Sequence, residues 1–132
     1  MRKHFEDHKT LASDVIFSAS VTGSGGSFFE VVVTADYDVY CNSRPDGRQH
    51  ASVEPVDRRP RDVERLLQRI EALGVADWQP AYGSGSPAEP GGWMVLLEID
   101  RRVRKWQGCG QYPPEWDEFC EIVGEMIHAP FG

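Results

Sequence analysis

The sequence predicts an α+β domain in which a single antiparallel sheet of about five strands carries two helices on one face, in the order β-β-β-α-β-β-α. Apolar and polar residues alternate with a period of two in five segments, which is typical of half-buried strands. The apolar residues change to helical spacing after Pro60 and again after Pro113. Strands and helices that are grouped in this way favour an antiparallel sheet with helices on one side.

The length and composition predict one globular domain that spans residues 1–132. The chain is 40% hydrophobic and 27% charged, which excludes a disordered or collagen-like protein. A domain of this size can bury a hydrophobic core of its own. No apolar run reaches the ~18 residues that a membrane-spanning helix needs. The charged residues 1–9 are not followed by the apolar stretch of a signal peptide. We therefore expect a soluble, cytoplasmic protein that makes no contact with a membrane.

The first half of the chain predicts three strands. Residues 14–21 alternate between apolar and polar side chains, and a glycine-rich turn at 22–27 follows them. Residues 28–34 are rich in β-branched and aromatic side chains, so the first two strands are expected to form an antiparallel hairpin. Residues 36–41 alternate again and predict the third strand. A further short strand within 49–54 is an open alternative.

The second half predicts a helix, two strands and a second helix. Residues 61–73 place their apolar side chains on one helical face. After a loop rich in glycine and proline, residues 93–99 and 101–107 alternate as strands, with a tight reversal near Asp100 between them. Residues 114–128 form the second helix, whose apolar stripe is expected to pack against the sheet.

A recognisable pattern occupies this second half. Trp78 follows the first helix, residues 92–99 read G-W-M-V-L-L-E-I, and residues 108–119 read G-C-G-Q-Y-P-P-E-W-D-E-F. The pattern resembles a widespread group of small bacterial proteins in which a W-x-L-x-I strand is followed by G-S-N-x-Y-P-x-x-W-x-x-F. The match covers roughly residues 63–127. Because no activity is established for that group, the resemblance implies a shared fold and supplies no catalytic residue.

Two positions depart from the group's pattern. Pro90, Gly91 and Gly92 replace an Asp-Gly pair, and Gly110 replaces the Asn. Glycine and asparagine both tolerate a left-handed backbone, so we expect a positive φ at position 110.

The net charge and the cysteine content argue against two kinds of function, general nucleic-acid binding and zinc binding. The formal net charge is −7, and an acidic chain lacks the cationic surface on which general nucleic-acid binding depends. Such a chain suits a basic protein partner. Cys41, Cys109 and Cys120 are odd in number and match no zinc-binding spacing, so we expect reduced thiols and no metal or other cofactor.

The second predicted helix carries five carboxylates and no lysine or arginine. They are Glu115, Asp117, Glu118, Glu121 and Glu125. These residues are the predicted partner-binding site, because an acidic surface attracts a basic protein. The alternative is a solvated helix face whose first acidic residues interact favourably with the helix dipole.

Two other charged groups leave alternatives open. Asp36, Asp38, Glu98 and Asp100 share strand faces and would form a cation site if their strands were neighbours. Residues 101–105 contain four basic side chains, which either protect a strand edge or form a binding patch.

These observations together predict a non-enzymatic, acidic protein-binding domain. An immunity protein, or an inhibitor of a nucleic-acid-binding enzyme, needs these properties. No catalytic residue is predicted. The alternative is a small-ligand or metal-binding module that uses the open face of the sheet.

Overall fold

The described part of the chain, residues 14–24, 27–44, 50–51 and 59–131 of a computed structural model, forms one seven-stranded sheet with two α-helices on one face. The strands are β1 (Val15–Thr22), β2 (Phe28–Thr34), β3 (Val39–Arg44), β4 (His50–Ala51), β5 (Ala81–Tyr82), β6 (Gly92–Ile99) and β7 (Arg102–Cys109). The helices are α1 (Pro60–Ala72) and α2 (Trp116–Ile127). The predicted α+β class and the element order of the main strands and helices are confirmed.

The sheet order is β4-β3-β2-β1-β6-β7-β5, and every neighbouring pair is antiparallel except β5 and β7. The sheet is therefore mostly antiparallel rather than wholly so. β5 was not predicted, because two residues carry no detectable period. The backbone N–H of Gln107 donates to the carbonyl of Pro80 over 3.1 Å and helps to dock this short strand.

Alternate residues of the central strands face the helices and form the core. On β1, Phe17 and Ala19 are fully buried, and the ring of Phe17 lies 6.1 Å from that of Phe119 on α2. The apolar side chains that were predicted to share one face of each helix are buried. The two exceptions, Leu73 and Cys120, are half-buried. The other buried side chains of the core on these elements include Val31, Val33, Val39, Val63, Leu66, Leu67, Ile70, Trp93, Val95, Leu97, Trp116 and Val123.

The third strand differs from the prediction at both ends, since β3 runs from Val39 to Arg44 whereas residues 36–41 were predicted. β3 begins at Val39 instead of residue 36, because the N–H of Tyr37 donates to the carbonyl of Thr34 over 2.8 Å and closes a turn there. Tyr37 has a φ of 65°, which is uncommon for a residue other than glycine. The predicted reversal between the last two strands is confirmed, since Asp100 and Arg101 form a two-residue turn with φ values of 54° and 68°.

Two predictions fall partly outside the described residues. Of the short strand considered within 49–54, residues 50 and 51 form β4, and the remainder lies outside the described ranges, as do the charged residues 1–9. In the part of the chain that is described, neither helix has the length and apolar character needed to cross a membrane.

Candidate functional site

Helix α2 is held to the sheet by a buried stripe, which fixes the position of its acidic side chains. Trp116 stacks on Phe119 with 5.2 Å between ring centroids, and Phe119 is fully buried. Further along the helix Ile122, Val123, Met126 and Ile127 are buried as well. The acidic residues are thus carried by a rigid element rather than by a loop.

The structure divides the five predicted carboxylates into two groups. Two of them have partners elsewhere in the fold. Glu115 accepts a hydrogen bond of 2.9 Å from the indole nitrogen of Trp78, which is 6% exposed. Glu125 accepts hydrogen bonds of 3.0 and 3.1 Å from Nη1 of Arg69 on α1, so its charge is paired. These two carboxylates connect α2 to the rest of the molecule.

The other three carboxylates, Asp117, Glu118 and Glu121, form what we call the acidic face. All three are exposed on α2. Within the described ranges, no side-chain hydrogen bond or ion pair engages Glu118 or Glu121. Because these side chains are exposed on a helix that is packed on the core, the acidic face presents unneutralised charge to solvent on a fixed scaffold.

The thiol of Cys120 lies on the same helix. Burial, with a contribution from the charge of Asp117, raises the pKa of this thiol to about 12.

An aromatic cluster surrounds the start of α2. Its members are Trp78, Tyr82, Trp93, Tyr112 and Trp116. Trp93 lies at its centre, with ring centroids 4.8 Å from Trp116, 5.8 Å from Tyr82, 6.3 Å from Trp78 and 6.4 Å from Tyr112. Tyr112 is 45% exposed, so the cluster reaches the surface near the start of α2.

Trp93 and Trp116 fall on the apolar faces of a predicted strand and of the second predicted helix, which predicts core positions for both, and both are buried. Sequence reasoning did not identify Tyr82 and Tyr112 as surface members of the same cluster. Tyr82 lies in a segment without periodicity, which gave no signal. Tyr112 is part of the Y-P-x-x-W-x-x-F stretch, which suggested only a shared fold and is the one sequence signal that could have pointed to the cluster.

The four acidic residues considered as a cation site are not brought together on neighbouring strands. Asp36 and Asp38 precede β3, whereas Glu98 and Asp100 lie at the end of β6, and β1 and β2 separate the two strands. Among the residues described, no group of three or more His, Cys, Asp or Glu side chains is arranged to hold a metal ion.

The basic residues of segment 101–105 that lie on β7 point to both faces of the sheet. Arg104 lies on the helix side, where its guanidinium is 5.1 Å from the ring centroid of Trp106 and donates to the carbonyl of Ala76 over 3.2 Å. Lys105 faces the other side of the sheet, because it is adjacent to Arg104 in a strand. β5 pairs with β7 at residues 107 and 108, beyond this segment. This arrangement favours protection of a strand edge.

Comparison with protein-family models, with curated proteins and with solved structures finds no match for this chain. The function is therefore inferred from the residues and their geometry.

Proposed function

We propose that this chain is a binding domain for a basic protein and that the acidic face of α2 is the contact surface. The observation that carries the proposal is the exposure of Asp117, Glu118 and Glu121 on a helix whose opposite side is buried in the core. Glu125 contributes less, because Arg69 already pairs with it.

A rigid charged surface has a physical advantage in binding. The backbone of α2 is ordered before the partner arrives, so little conformational entropy is lost when the complex forms. Three neighbouring carboxylates raise the encounter rate with a cationic partner, and salt screens this attraction. We therefore expect the association rate with a basic protein to fall as the salt concentration rises.

The class of protein that best fits is an inhibitor rather than an enzyme. An immunity protein, or an inhibitor of a nucleic-acid-binding enzyme, has to cover a cationic surface that normally contacts phosphates, and an acidic face supplies the matching charge. We assign the protein to the cytoplasm, where three reduced thiols are ordinary.

The test compares association kinetics of the parent chain with the double variant Glu118→Lys, Glu121→Lys, using a basic protein that the parent captures. Because charge steering acts on the encounter step, we expect slower association with a smaller change in dissociation. Unfolding should change little, since exposed substitutions alter stability by about 0.5 kcal/mol or less.

The matched control is the double variant Asp36→Lys, Glu71→Lys. It changes the net charge by the same amount, but its exposed residues lie on the β2–β3 turn and on α1. The control is expected to associate nearly as fast as the parent. If both double variants are slowed equally, overall charge rather than the acidic face is responsible, and the proposal fails.

A further inference from the structure

A surface cleft of about 460 Å³ lies beside the start of α2, where Pro114 and Glu115 contribute to its lining. It is larger than the groove of about 270 Å³ between α1 and α2. Three aromatic side chains and two carboxylates stand among its lining residues, namely Trp78, Tyr82, Tyr112, Asp77 and Glu115. Among the residues that the structure describes, no lysine or arginine lines the cleft.

The walls of this cleft are held in place by contacts inside the fold. The Tyr82 hydroxyl accepts a hydrogen bond of 2.9 Å from the backbone N–H of Gln79. The ring of Tyr112 lies 5.3 Å from that of Trp116, and its hydroxyl donates to the carbonyl of Gly91 over 3.3 Å. A ligand would therefore meet aromatic surfaces that are already ordered, which lowers the entropy lost on binding.

One oxygen of the Glu115 carboxylate already accepts a hydrogen bond inside the fold, and the other can accept a hydrogen bond from a ligand. Oε1 accepts from the buried indole nitrogen of Trp78 over 2.9 Å, which orients the carboxylate. An ionised carboxylate can accept hydrogen bonds at both oxygens, so Oε2 remains able to accept another. Asp77 adds a second negative charge to the lining.

We infer that the cleft binds the guanidinium of an arginine side chain of the basic partner. This inference rests on the proposed function and adds a defined contact to it. A guanidinium stacks on aromatic rings, donates hydrogen bonds to carboxylates in its own plane, and is more weakly hydrated than an ammonium. The cleft offers both kinds of surface at one place, and its negative charge selects a cation over a neutral group.

The direct experiment needs no protein partner. The folded chain is titrated with N-acetyl-arginine amide, and the assigned indole N–H signal of Trp78 is followed by two-dimensional NMR. Because this N–H donates to Glu115, a cation at the other carboxylate oxygen will shift the signal. We expect a saturable shift with the arginine amide and none with the citrulline amide, which has nearly the same shape but no charge. The lysine amide should bind more weakly, since it lacks the planar donor group.

Variants then locate the site. Glu115→Gln keeps an acceptor for Trp78 and removes the charge, and it should weaken binding of the arginine amide about tenfold, the effect of one lost charge-assisted hydrogen bond. The matched control is Asp36→Asn, which removes one exposed charge at the opposite end of the sheet and should leave the affinity unchanged within about twofold.

Four results would overturn the inference, three of them by showing that the cleft does not bind the arginine amide as proposed. Those three are no shift with the arginine amide, an equal shift with the citrulline amide, and equal weakening by Glu115→Gln and Asp36→Asn. Lysine amide binding as tightly as arginine amide would overturn the choice of a guanidinium. Failure here is distinguishable from failure of the proposed function, because slower association of the Glu118→Lys, Glu121→Lys variant is measured separately with the protein partner.

Discussion

The indole of Trp93 on β6 covers Gly108 on β7, its partner in the strand ladder. A Cβ atom at position 108 would lie 2.6 Å from the indole nitrogen and 2.8 Å from Cε2. The ring has little freedom to move away, since its nitrogen donates to the carbonyl of Gln111 over 2.8 Å and its centroid lies 4.8 Å from that of Trp116. Gly108 thus allows the fully buried indole of Trp93 to lie directly over the neighbouring strand.

The first prediction follows from this contact. Gly108→Ala should lower the free energy of unfolding by about 1–3 kcal/mol, because overpacking forces the indole or the strand to shift. Urea denaturation monitored by Trp fluorescence measures the change. Cys109→Ala, at the next residue, is the control. Because Cys109 is half-buried, this variant should lower the free energy of unfolding by less. Equal stability of Gly108→Ala and the parent would contradict the close approach.

The second prediction concerns Gly110, where the backbone rather than the packing requires glycine. Its φ of 76° confirms the left-handed backbone expected at this position, and no heavy atom of the described residues, its chain neighbours apart, lies within 4 Å of a Cβ placed there. Gly110→Asn should be tolerated, whereas Gly110→Val should lower the free energy of unfolding by about 1–2 kcal/mol. Thermal melting distinguishes the two, and similar losses in both variants would contradict a purely conformational cause.

Much of the fold could be predicted because the relevant signals are local. The apolar stripe of α1 is visible in the spacing of Val63, Leu66 and Ile70, all of which are buried. The turn at Tyr37 could not be predicted, since an aromatic residue with a positive φ has no sequence signature. β5 contains two residues, and its position depends on pairing with β7 rather than on any period of its own.

The candidate site was predictable only in part, for a similar reason. The acidic residues of α2 are evident in the sequence, but the partner of Glu125 is Arg69, 56 positions away in the chain. Pairings of this separation depend on how α1 and α2 pack. The resemblance to the bacterial group stays a prediction. Its conspicuous residues Tyr112, Trp116 and Phe119 pack here in or beside the aromatic cluster, which gives them a structural role.

The third prediction tests the link between Trp78 and Glu115. Glu115→Ala removes the acceptor of a buried indole N–H, so the free energy of unfolding should fall by about 1–3 kcal/mol. Glu115→Gln retains a side-chain oxygen that can accept from Trp78, so it should lower the free energy of unfolding much less. Denaturant unfolding of the two variants side by side is the measurement. If alanine and glutamine at this position were equally stable, the hydrogen bond would contribute nothing.

The fourth prediction concerns the redox state. Cys41, Cys109 and Cys120 are reduced thiols in the fold, each half-buried. The thermal midpoint should therefore be the same with and without a reductant, since no cross-link constrains the unfolded chain. Differential scanning calorimetry of freshly purified protein provides the comparison. A marked drop of the midpoint on reduction would show that a disulfide contributes to stability.

The last prediction uses the raised pKa of Cys120, which burial and, secondarily, the charge of Asp117 move from 9.0 to about 12. In the unfolded chain this thiol loses its proton near its ordinary pKa, whereas the folded chain keeps it. As the pH rises from about 9 towards 12, the unfolded state binds fewer protons, so the free energy of unfolding must fall. The fall begins above the unfolded pKa and is complete only at the folded one.

Cys120→Ser isolates this contribution, since a serine hydroxyl does not titrate in that range. Its stability at neutral pH will differ from the parent, so the informative quantity is the slope of unfolding free energy against pH. We expect a shallower slope in the variant rather than a flat line, because burial also raises the pKa of Cys41 and of Tyr37. Urea denaturation from about pH 7 to about pH 11 gives both slopes. Identical slopes would mean that the Cys120 thiol ionises alike in the folded and unfolded chain.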